Sequence, residues 1–124
     1  MTRPIARSTA LPPGGALCFE ALVAGRRRPC VAVRSPAGLT AFVNVCAHRH
    51  QPVVVDDKPL DDSGRLECRA HGAFYDPATG LCVEGPCEGA RLVSVPVRDD
   101  GAQLFVEDDD TVDDSVYGTD EEAQ

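Results

Sequence analysis

Hydrophobic and polar residues alternate along three short stretches in the first half of the chain. The first covers 17–23, the second begins at Val31, and the third covers 39–45. A period of two places alternate side chains on opposite faces of an extended strand. The pattern therefore predicts an antiparallel meander of three strands, with a turn at Gly25 and the arginines that follow it. The Pro- and Gly-rich residues 1–15 are predicted to be irregular.

The segment from about residue 46 to 89 has a different character. It is rich in Gly, Pro, Asp and Cys, and its apolar pieces are brief. Beyond it, 92–97 is predicted to be a strand, and Pro96 favours an edge position because proline cannot donate to a ladder. The turn at 99–101 then leads into a strand at 103–106. With no convincing amphipathic helix, the sequence predicts an all-β domain with a loop-rich insert.

Charge is distributed unevenly along the 124 residues, whose formal net charge is −8. Residues 107–124 contain nine acidic side chains and no basic one, whereas residues 1–106 contain 12 basic and 11 acidic side chains. A nearly neutral body offers no cationic surface for phosphates, so no nucleic-acid partner is expected. We predict one domain over 1–107 and an acidic, disordered tail over 108–124.

The sequence gives no sign of membrane insertion or export. It lacks an apolar run of transmembrane length, and the prolines and glycines after Arg7 do not fit a signal peptide. A cytoplasmic protein without a membrane partner is therefore expected. In a reducing compartment, six cysteines and three histidines favour metal binding over a disulfide framework.

Two short motifs in the insert each combine one thiol and one imidazole. They are Cys46-Ala47-His48 and Cys68-Arg69-Ala70-His71, and 19 residues separate His48 from Cys68. Such a ligand set fits either tetrahedral zinc or a [2Fe–2S] cluster with two Cys on one iron and two His on the other. Zinc sites more often place the two cysteines together in one knuckle, so the mixed motifs favour the cluster.

These motifs resemble those of Rieske domains of the ferredoxin type. The matching residues are C-A-H-R-H-Q-P at 46–52 and C-R-A-H-G-A-F-Y-D at 68–76, with G-P-C at 85–87 and L-V-S-V-P-V at 92–97 in support. The resemblance extends over roughly residues 16–107. It implies an antiparallel β-sandwich that carries an inserted cluster-binding subdomain, at about residues 44–89.

The resemblance also implies a ligand set and a function. Cys46 and Cys68 would bind the buried iron of one [2Fe–2S] cluster per chain, and His48 and His71 the iron nearest to solvent. The implied function is one-electron transfer by a soluble carrier, from a reductase to an oxygenase or a similar terminal enzyme. The chain is not expected to be an enzyme alone, because beyond the proposed ligands only His50 remains for a mononuclear iron site.

Departures from the respiratory members of the family bear on the reduction potential. Those proteins resemble this chain but carry a bridging cysteine in each cluster loop, where this sequence has Gln51 and Ala70. They also carry a serine at the position of Ala73, whereas Tyr75 matches their other hydroxyl donor. Fewer hydrogen bonds to sulfur lower the potential of a cluster, so a low to intermediate potential is predicted.

Two alternative functions are compatible with the sequence. One is a small subunit or accessory module of a larger reductase, such as the nitrite reductase small subunit. Some of those subunits resemble Rieske domains yet lack the ligands, whereas all four are present here. A zinc-bound structural module is the other alternative. Outside the ligand set, Cys82 and Cys87 fit a disulfide, a redox-sensing pair or two inert thiols, and Cys18 and Cys30 fit core positions.

Overall fold

The computed structural model describes residues 2–45, 60–61, 64–68 and 72–109. Within these residues the chain forms nine strands and one 3₁₀ turn. In chain order they are β1 (Thr2–Arg7), the 3₁₀ turn (Ser8–Ala10), β2 (Ala16–Val23), β3 (Arg26–Ser35), β4 (Gly38–Val43), β5 (Leu66–Cys68), β6 (Ala73–Tyr75), β7 (Cys82–Glu84), β8 (Val97–Asp99) and β9 (Gln103–Glu107).

The strands form three antiparallel sheets of three strands each. Two of them, with the orders β2-β3-β4 and β1-β9-β8, are called the base sheets. The third, β5-β6-β7, is called the small sheet. The predicted all-β class is confirmed, since a three-residue 3₁₀ turn is the only helix in the described ranges. These ranges contain no helix that is long and apolar enough to cross a membrane.

The predicted meander is present as β2, β3 and β4, but its first turn is tighter than expected. Residues Ala24 and Gly25 have φ angles of 54° and 80°, the left-handed values that a two-residue hairpin turn requires. Arg26, Arg27 and Arg28 pair with Val23, Leu22 and Ala21, so the prediction that these arginines form a turn was wrong. A strand at the protein surface accommodates such polar residues, which hides it from a hydrophobicity pattern.

The prediction that residues 1–15 are irregular was wrong for residues 2–10, whereas 11–15 form neither strand nor helix. Residues 2–7 form strand β1, which pairs with β9 at the edge of its sheet. Pro4 lies where the register shifts, between Pro4 and Ala6, and an edge strand with a bulge tolerates a residue that has no N–H to donate. The partner strand lies about a hundred positions away, so no local pattern announces the pairing.

The predicted strand at 92–97 is only partly formed. The Val43 N–H donates to Val93 O at 2.8 Å, and the Val95 N–H donates to Ala41 O at 2.9 Å. The segment therefore lies along β4 without a full ladder, and only Val97 belongs to a strand, β8. The hairpin at 99–101 is confirmed, because Asp99 of β8 pairs with Leu104 of β9.

Strands β3 and β4 lie between two hydrophobic cores. Their alternate side chains separate cleanly, with Val31, Val33 and Phe42 in one core and Cys30, Ala32, Ala41 and Val43 in the other. The second core also holds Leu104 and Val106 of β9, so the two base sheets face each other as a sandwich. The first core holds the buried side chains of the small sheet, which therefore packs on the outer face of β3 and β4.

The start of the acidic segment contacts the base sheets. The Arg3 guanidinium donates to the Asp108 carboxylate at 2.5 Å, and the Leu22 N–H donates to the same carboxylate at 2.9 Å. Asp109 exchanges backbone hydrogen bonds with Leu22 and Gly25, each 2.8 Å long. Residues 108 and 109 are thus tied to the β2–β3 hairpin, and the rest of the predicted tail, 110–124, lies outside the described residues.

Candidate metal centre

The hairpin of β5 and β6 positions one of the four predicted ligands, Cys68. This residue ends β5, pairs with Ala73 of β6, and is fully buried. The Gly72 N–H donates to Cys68 O at 2.9 Å, and the φ angle of Gly72 is +70°. A left-handed residue at this point reverses the chain without the steric cost that a Cβ atom would add. Cys68 and Gly72, the first and last residues of the C-x-x-H-G motif, therefore flank a hairpin reversal, with the Cys68 thiol in the core.

A second loop packs directly against this reversal. Gly85 has a φ angle of +111°, and a Cβ atom built on it would lie 2.7 Å from Gly72 O and 2.8 Å from the Cα of Ala73. Backbone atoms cannot move aside as a flexible side chain can, so only glycine fits there. Pro86 follows at once, which stiffens the loop. The sequence motif Gly-Pro-Cys thus places a rigid loop beside the hairpin that carries Cys68.

A buried group of sulfur and hydroxyl atoms lies under the two loops. Tyr75 is fully buried, and its hydroxyl oxygen lies 3.3 Å from the sulfur of Cys87. The sulfur of Cys87 in turn lies 2.9 Å from that of Cys82, which is also buried. Ala73, where a hydroxyl donor is absent, is completely buried beside Cys68. Tyr75 therefore places a hydroxyl group in this core.

An ion-pair network that sequence reasoning missed braces the outer side of the small sheet. The Arg65 guanidinium contacts Asp61 at 3.0 Å and Glu84 at 2.8 Å, and it lies 4.2 Å from the centre of the Phe74 ring. These contacts join the start of β5 to β6 and β7. A sequence signal existed only in part, since Asp61 and Arg65 have a spacing of four, but Glu84 is distant in the chain.

The remaining predicted ligands lie outside the described residues. These are Cys46, His48 and His71, together with the neighbouring positions His50, Gln51 and Ala70. Across the described ranges, no group of three or more His, Cys, Asp or Glu side chains is placed to hold a metal ion. Cys68 is the predicted ligand whose position the structure gives, and the complete ligand set stays a prediction.

The chemistry of Cys68 and its surroundings fits a metal–thiolate ligand. Its thiol is shielded from water in the core, and the close packing of Gly85 on Gly72 and Ala73 leaves no room for a side chain at that point. Thiolate is the ligand that iron–sulfur clusters require. Rigid loops around it also meet the need of such a site for fixed ligand positions.

Comparison with models of protein families identifies the family to which the chain belongs. The model of the Rieske [2Fe-2S] domain matches residues 3–104, and the chain belongs to this family. Its cofactor is accordingly a [2Fe–2S] cluster, one per chain. Membership of this family indicates an electron-transfer component. A search of curated proteins found no match.

Solved structures show the same fold. The ferredoxin of carbazole 1,9a-dioxygenase from Nocardioides aromaticivorans IC177 is similar with a TM-score of 0.66 at 22% identity, covering 88% of this chain and 99% of that one. Dicamba monooxygenase is similar with a TM-score of 0.66 at 26% identity, covering 86% of this chain and 32% of that one. The chain thus spans nearly all of the ferredoxin and about a third of the monooxygenase.

A third similar structure contains two redox proteins together. It is the complex of reduced oxygenase and oxidized ferredoxin in carbazole 1,9a-dioxygenase, with a TM-score of 0.65 at 18% identity, and it covers 90% of this chain and 95% of that one. At this identity the likeness establishes the fold. With the family match, it confirms the predicted Rieske class and the predicted sandwich.

Proposed function

We propose that this protein is a one-electron carrier whose [2Fe–2S] cluster is bound by Cys46, His48, Cys68 and His71. The observation that carries the proposal is the buried Cys68 at the hairpin reversal, within a chain that belongs to the Rieske family. The C-x-x-H spacing puts His71 next to Gly72, the residue on which the Gly85 loop packs. The cluster domain covers residues 1–107, and residues 108–124 form an acidic tail that takes no part in ligation.

The mixed ligand set has a physical reason. When bound, the cluster supplies a one-electron redox couple. Two neutral imidazoles in place of two thiolates remove negative charge from the site, which makes the reduced state less costly and raises the potential above that of an all-cysteine cluster. The ring nitrogen of each histidine that does not bind metal is free to hold a proton, so the potential depends on pH.

The surroundings of Cys68 tune the potential in the opposite direction. Ala73 pairs with Cys68 and carries no hydroxyl group, while the Tyr75 hydroxyl contacts the sulfur of Cys87. Fewer hydrogen bonds to cluster sulfur lower the potential. We expect a value below about 0 mV, in the lower part of the range of roughly −150 to +300 mV that Rieske centres span. Ala73→Ser adds a hydroxyl and should raise it.

We propose that the partners are other redox proteins: a reductase that donates the electron, and an oxygenase or similar enzyme that accepts it. The similar structures include a ferredoxin in complex with an oxygenase, which supports a partner of this class. The nearly neutral body has no cationic surplus for nucleic acid. We place the protein in the cytoplasm, where its thiols remain reduced.

Electron paramagnetic resonance of anaerobically purified, dithionite-reduced protein tests the ligand proposal. We expect a red-brown protein with the low average g value of a histidine-ligated cluster and two irons per chain. His48→Ala and His71→Ala should each abolish this signal, whereas the matched variant His50→Ala should retain it. A colourless protein with one zinc per chain would refute the carrier and support the zinc module.

The partner proposal needs a separate test. The reduced protein is mixed under anaerobic conditions with a candidate oxygenase in its oxidised state. Stopped flow then follows the return of visible absorbance as this protein is reoxidised, and the bleaching of the oxygenase as it is reduced. Rapid electron transfer between the two freely mixed proteins supports the proposal that this protein is a soluble electron carrier. Transfer only when the chain is copurified as a subunit of a reductase would support the accessory-subunit alternative instead.

A further inference from the structure

Cys82 and Cys87 form a pair of thiols that the electron-carrier function does not use. Their sulfur atoms lie 2.9 Å apart, and the two residues are 1% and 9% exposed. Each belongs to the core that the small sheet shares with β3 and β4. We propose that these two residues are an oxidisable dithiol, which a small hydroperoxide converts into a disulfide. The proposal does not depend on which residues bind the cluster.

Backbone hydrogen bonds between the two cysteines and the residues just after Cys87 fix the turn that carries their sulfurs. The Cys82 N–H donates to Ala90 O at 2.7 Å, and the Gly89 N–H donates back to Cys82 O at 3.0 Å. The Ala90 N–H donates to Cys87 O at 2.8 Å. These bonds close the turn from both ends. A disulfide bond is about 2.05 Å long, so the sulfurs need to approach by only about 1 Å to form it.

The hydrogen bonds of the pair run in one direction. The Cys87 thiol donates to the sulfur of Cys82, and the Cys82 thiol donates to Glu84 O at 3.4 Å. Burial, together with the contact to Cys87, raises the pKa of Cys82 to about 11, so this thiol stays protonated at neutral pH. Cys87 is the more exposed of the two and is therefore the sulfur that meets an oxidant first.

The chemistry balances with one peroxide per disulfide. The sulfur of Cys87 attacks the O–O bond, which breaks as the S–O bond of a sulfenic acid forms, and one water leaves. The sulfur of Cys82 then attacks that of Cys87, the S–S bond forms, and the S–O bond breaks. The hydroxide takes the Cys82 proton and leaves as a second water. The two thiols lose two electrons and two protons in total, and the peroxide gains them.

Burial decides which oxidants can react. Cys82 and Cys87 are 1% and 9% exposed, so an oxidant that reacts at Cys87 must be small, of the size of hydrogen peroxide. A bulky disulfide such as oxidised glutathione cannot reach a sulfur along the line that thiol–disulfide exchange requires. The site therefore distinguishes a small peroxide from the glutathione pool.

Tyr75 contacts the pair in both redox states. In the dithiol, the Cys87 thiol donates to Cys82, so the Tyr75 hydroxyl donates to Cys87. In the disulfide, Cys87 has no proton left, and the hydroxyl remains the donor in this contact. Tyr75 belongs to β6, whose first residue, Ala73, pairs with Cys68. The modification thus lies one strand away from the candidate metal centre.

The sequence places both cysteines in one tryptic peptide, so their oxidation can be measured by mass spectrometry. Trypsin cleaves after Arg69 and Arg91, and the peptide between them contains two cysteines, Cys82 and Cys87. Holoprotein is treated with hydrogen peroxide, quenched with catalase, denatured in iodoacetamide and digested. We expect this peptide to lose the mass of two hydrogen atoms and to escape alkylation, and dithiothreitol should reverse both effects. Oxidised glutathione should act at least about tenfold more slowly.

Two other cysteines serve as references in the same digest. Cys18 is exposed and Cys30 is buried, with a pKa that burial raises to about 11. Cys30 should remain alkylatable after denaturation, which shows that burial alone does not produce the effect. The proposal would be overturned if Cys18 were oxidised while Cys82 and Cys87 remained free, or if their peptide gained oxygen atoms without a cross-link.

Single variants test the order of the two steps. In Cys82→Ser, the sulfenic acid on Cys87 has no thiol to react with, so dimedone should label Cys87. In Cys87→Ser, labelling of Cys82 should be at least about tenfold slower, because its thiol is more buried and remains protonated. Equal labelling would overturn the assigned order. If either variant fails to fold, the mass change of the wild-type peptide still decides the main proposal.

Discussion

The base sheets and the small sheet are built from strands of very different length. Strands β2 and β3 contain 8 and 10 residues, whereas β5, β6 and β7 contain three each. A long ladder specifies its own register through many paired residues. A three-residue strand cannot, and small sheets of this kind need packing against another layer to be stable. The base is therefore a scaffold, and the small sheet depends on what lies under it and on its loops.

The contacts between the two regions agree with this difference. Phe42 of β4 is buried under the small sheet, and a Cβ atom on Gly80 would lie 2.8 Å from its ring. The Leu92 N–H donates to Gly80 O at 2.9 Å, which ties the same loop to the segment that follows β7. Packing against the base thus stabilises the small sheet, whereas the base has a separate core between its own two sheets.

The largest effect should come from removing one leucine from each core. Leu66 and Leu104 are both almost completely buried, one in each core. Leu66→Ala and Leu104→Ala should each cost about 3–4 kcal/mol of unfolding free energy, through lost burial and the cavity left behind. Only Leu66→Ala should release the cluster before the base unfolds, which circular dichroism and visible absorbance followed in the same urea titration will show.

One outcome with the two leucine variants would contradict the expected difference between the two regions. If visible absorbance and circular dichroism are lost together in both variants, the two regions unfold as one cooperative unit. The small sheet would then not be the weaker part of the molecule.

A matched pair of glycines separates backbone strain from close packing. Gly85 and Gly38 share a φ angle of +111°, but a Cβ atom would meet backbone at Gly85 and nothing within 4 Å at Gly38. Gly38→Ala, in the base, should cost about 1 kcal/mol from the left-handed conformation alone. Gly85→Ala should cost about 3 kcal/mol and reduce the iron content of the purified protein. Equal losses would show that strain, and not the contact with Gly72, makes glycine necessary.

The sequence predicts long strands that neighbour their partners in the chain, and it misses strands that are short or pair with a distant segment. Strands β2, β3 and β4 were predictable because each alternates over several residues and neighbours its partner in the chain. Strand β1 was not, because its partner β9 is distant and Pro4 suggested an irregular segment. Strand β7 was missed because three residues, of which two are exposed, give no period to detect.

The candidate site was predictable in its chemistry rather than in its packing. The motif at 68–72 identifies a thiol and an imidazole, and the structure places Cys68 at a hairpin reversal. The match G-P-C at 85–87 supports the family resemblance, but only the structure shows that Gly85 packs on Gly72 and Ala73. The contact of Cys82 with Cys87 likewise depends on the turn between them, which spacing alone does not determine.

Acid should weaken the base at the ion pair that anchors residue 108. Hydrogen bonding from Arg3 lowers the pKa of Asp108 below its usual value. A depressed pKa contributes stability above the ordinary carboxyl pKa of about 4, and this contribution is lost as the pH falls through the folded value. Asp108→Asn should cost about 1 kcal/mol at pH 7, and the difference from wild type should shrink in acid.

Glu20→Gln is the control for this acid effect. Glu20 contacts Arg27 at 3.4 Å, with 61% of its side chain exposed, so its loss should change stability by less than about 0.5 kcal/mol. Urea titrations between pH 3 and pH 7 measure both variants. If the deficit of Asp108→Asn does not shrink at low pH, the carboxylate charge is not what holds the start of the acidic segment.

The smallest effect should come from the ion pair on the small sheet, although we expect this sheet to be less stable than the base. Glu84 is 62% exposed on its side chain and contacts Arg65, which also contacts Asp61 and the Phe74 ring. Glu84→Gln should cost less than about 0.5 kcal/mol, because an exposed pair gains little in water and Arg65 keeps its other contacts. The free energy of unfolding, measured by urea titration, should change less between low and high salt for Glu84→Gln than for wild type. A larger cost, or early loss of the cluster, would mean that charge rather than burial against β3 and β4 holds the small sheet in place.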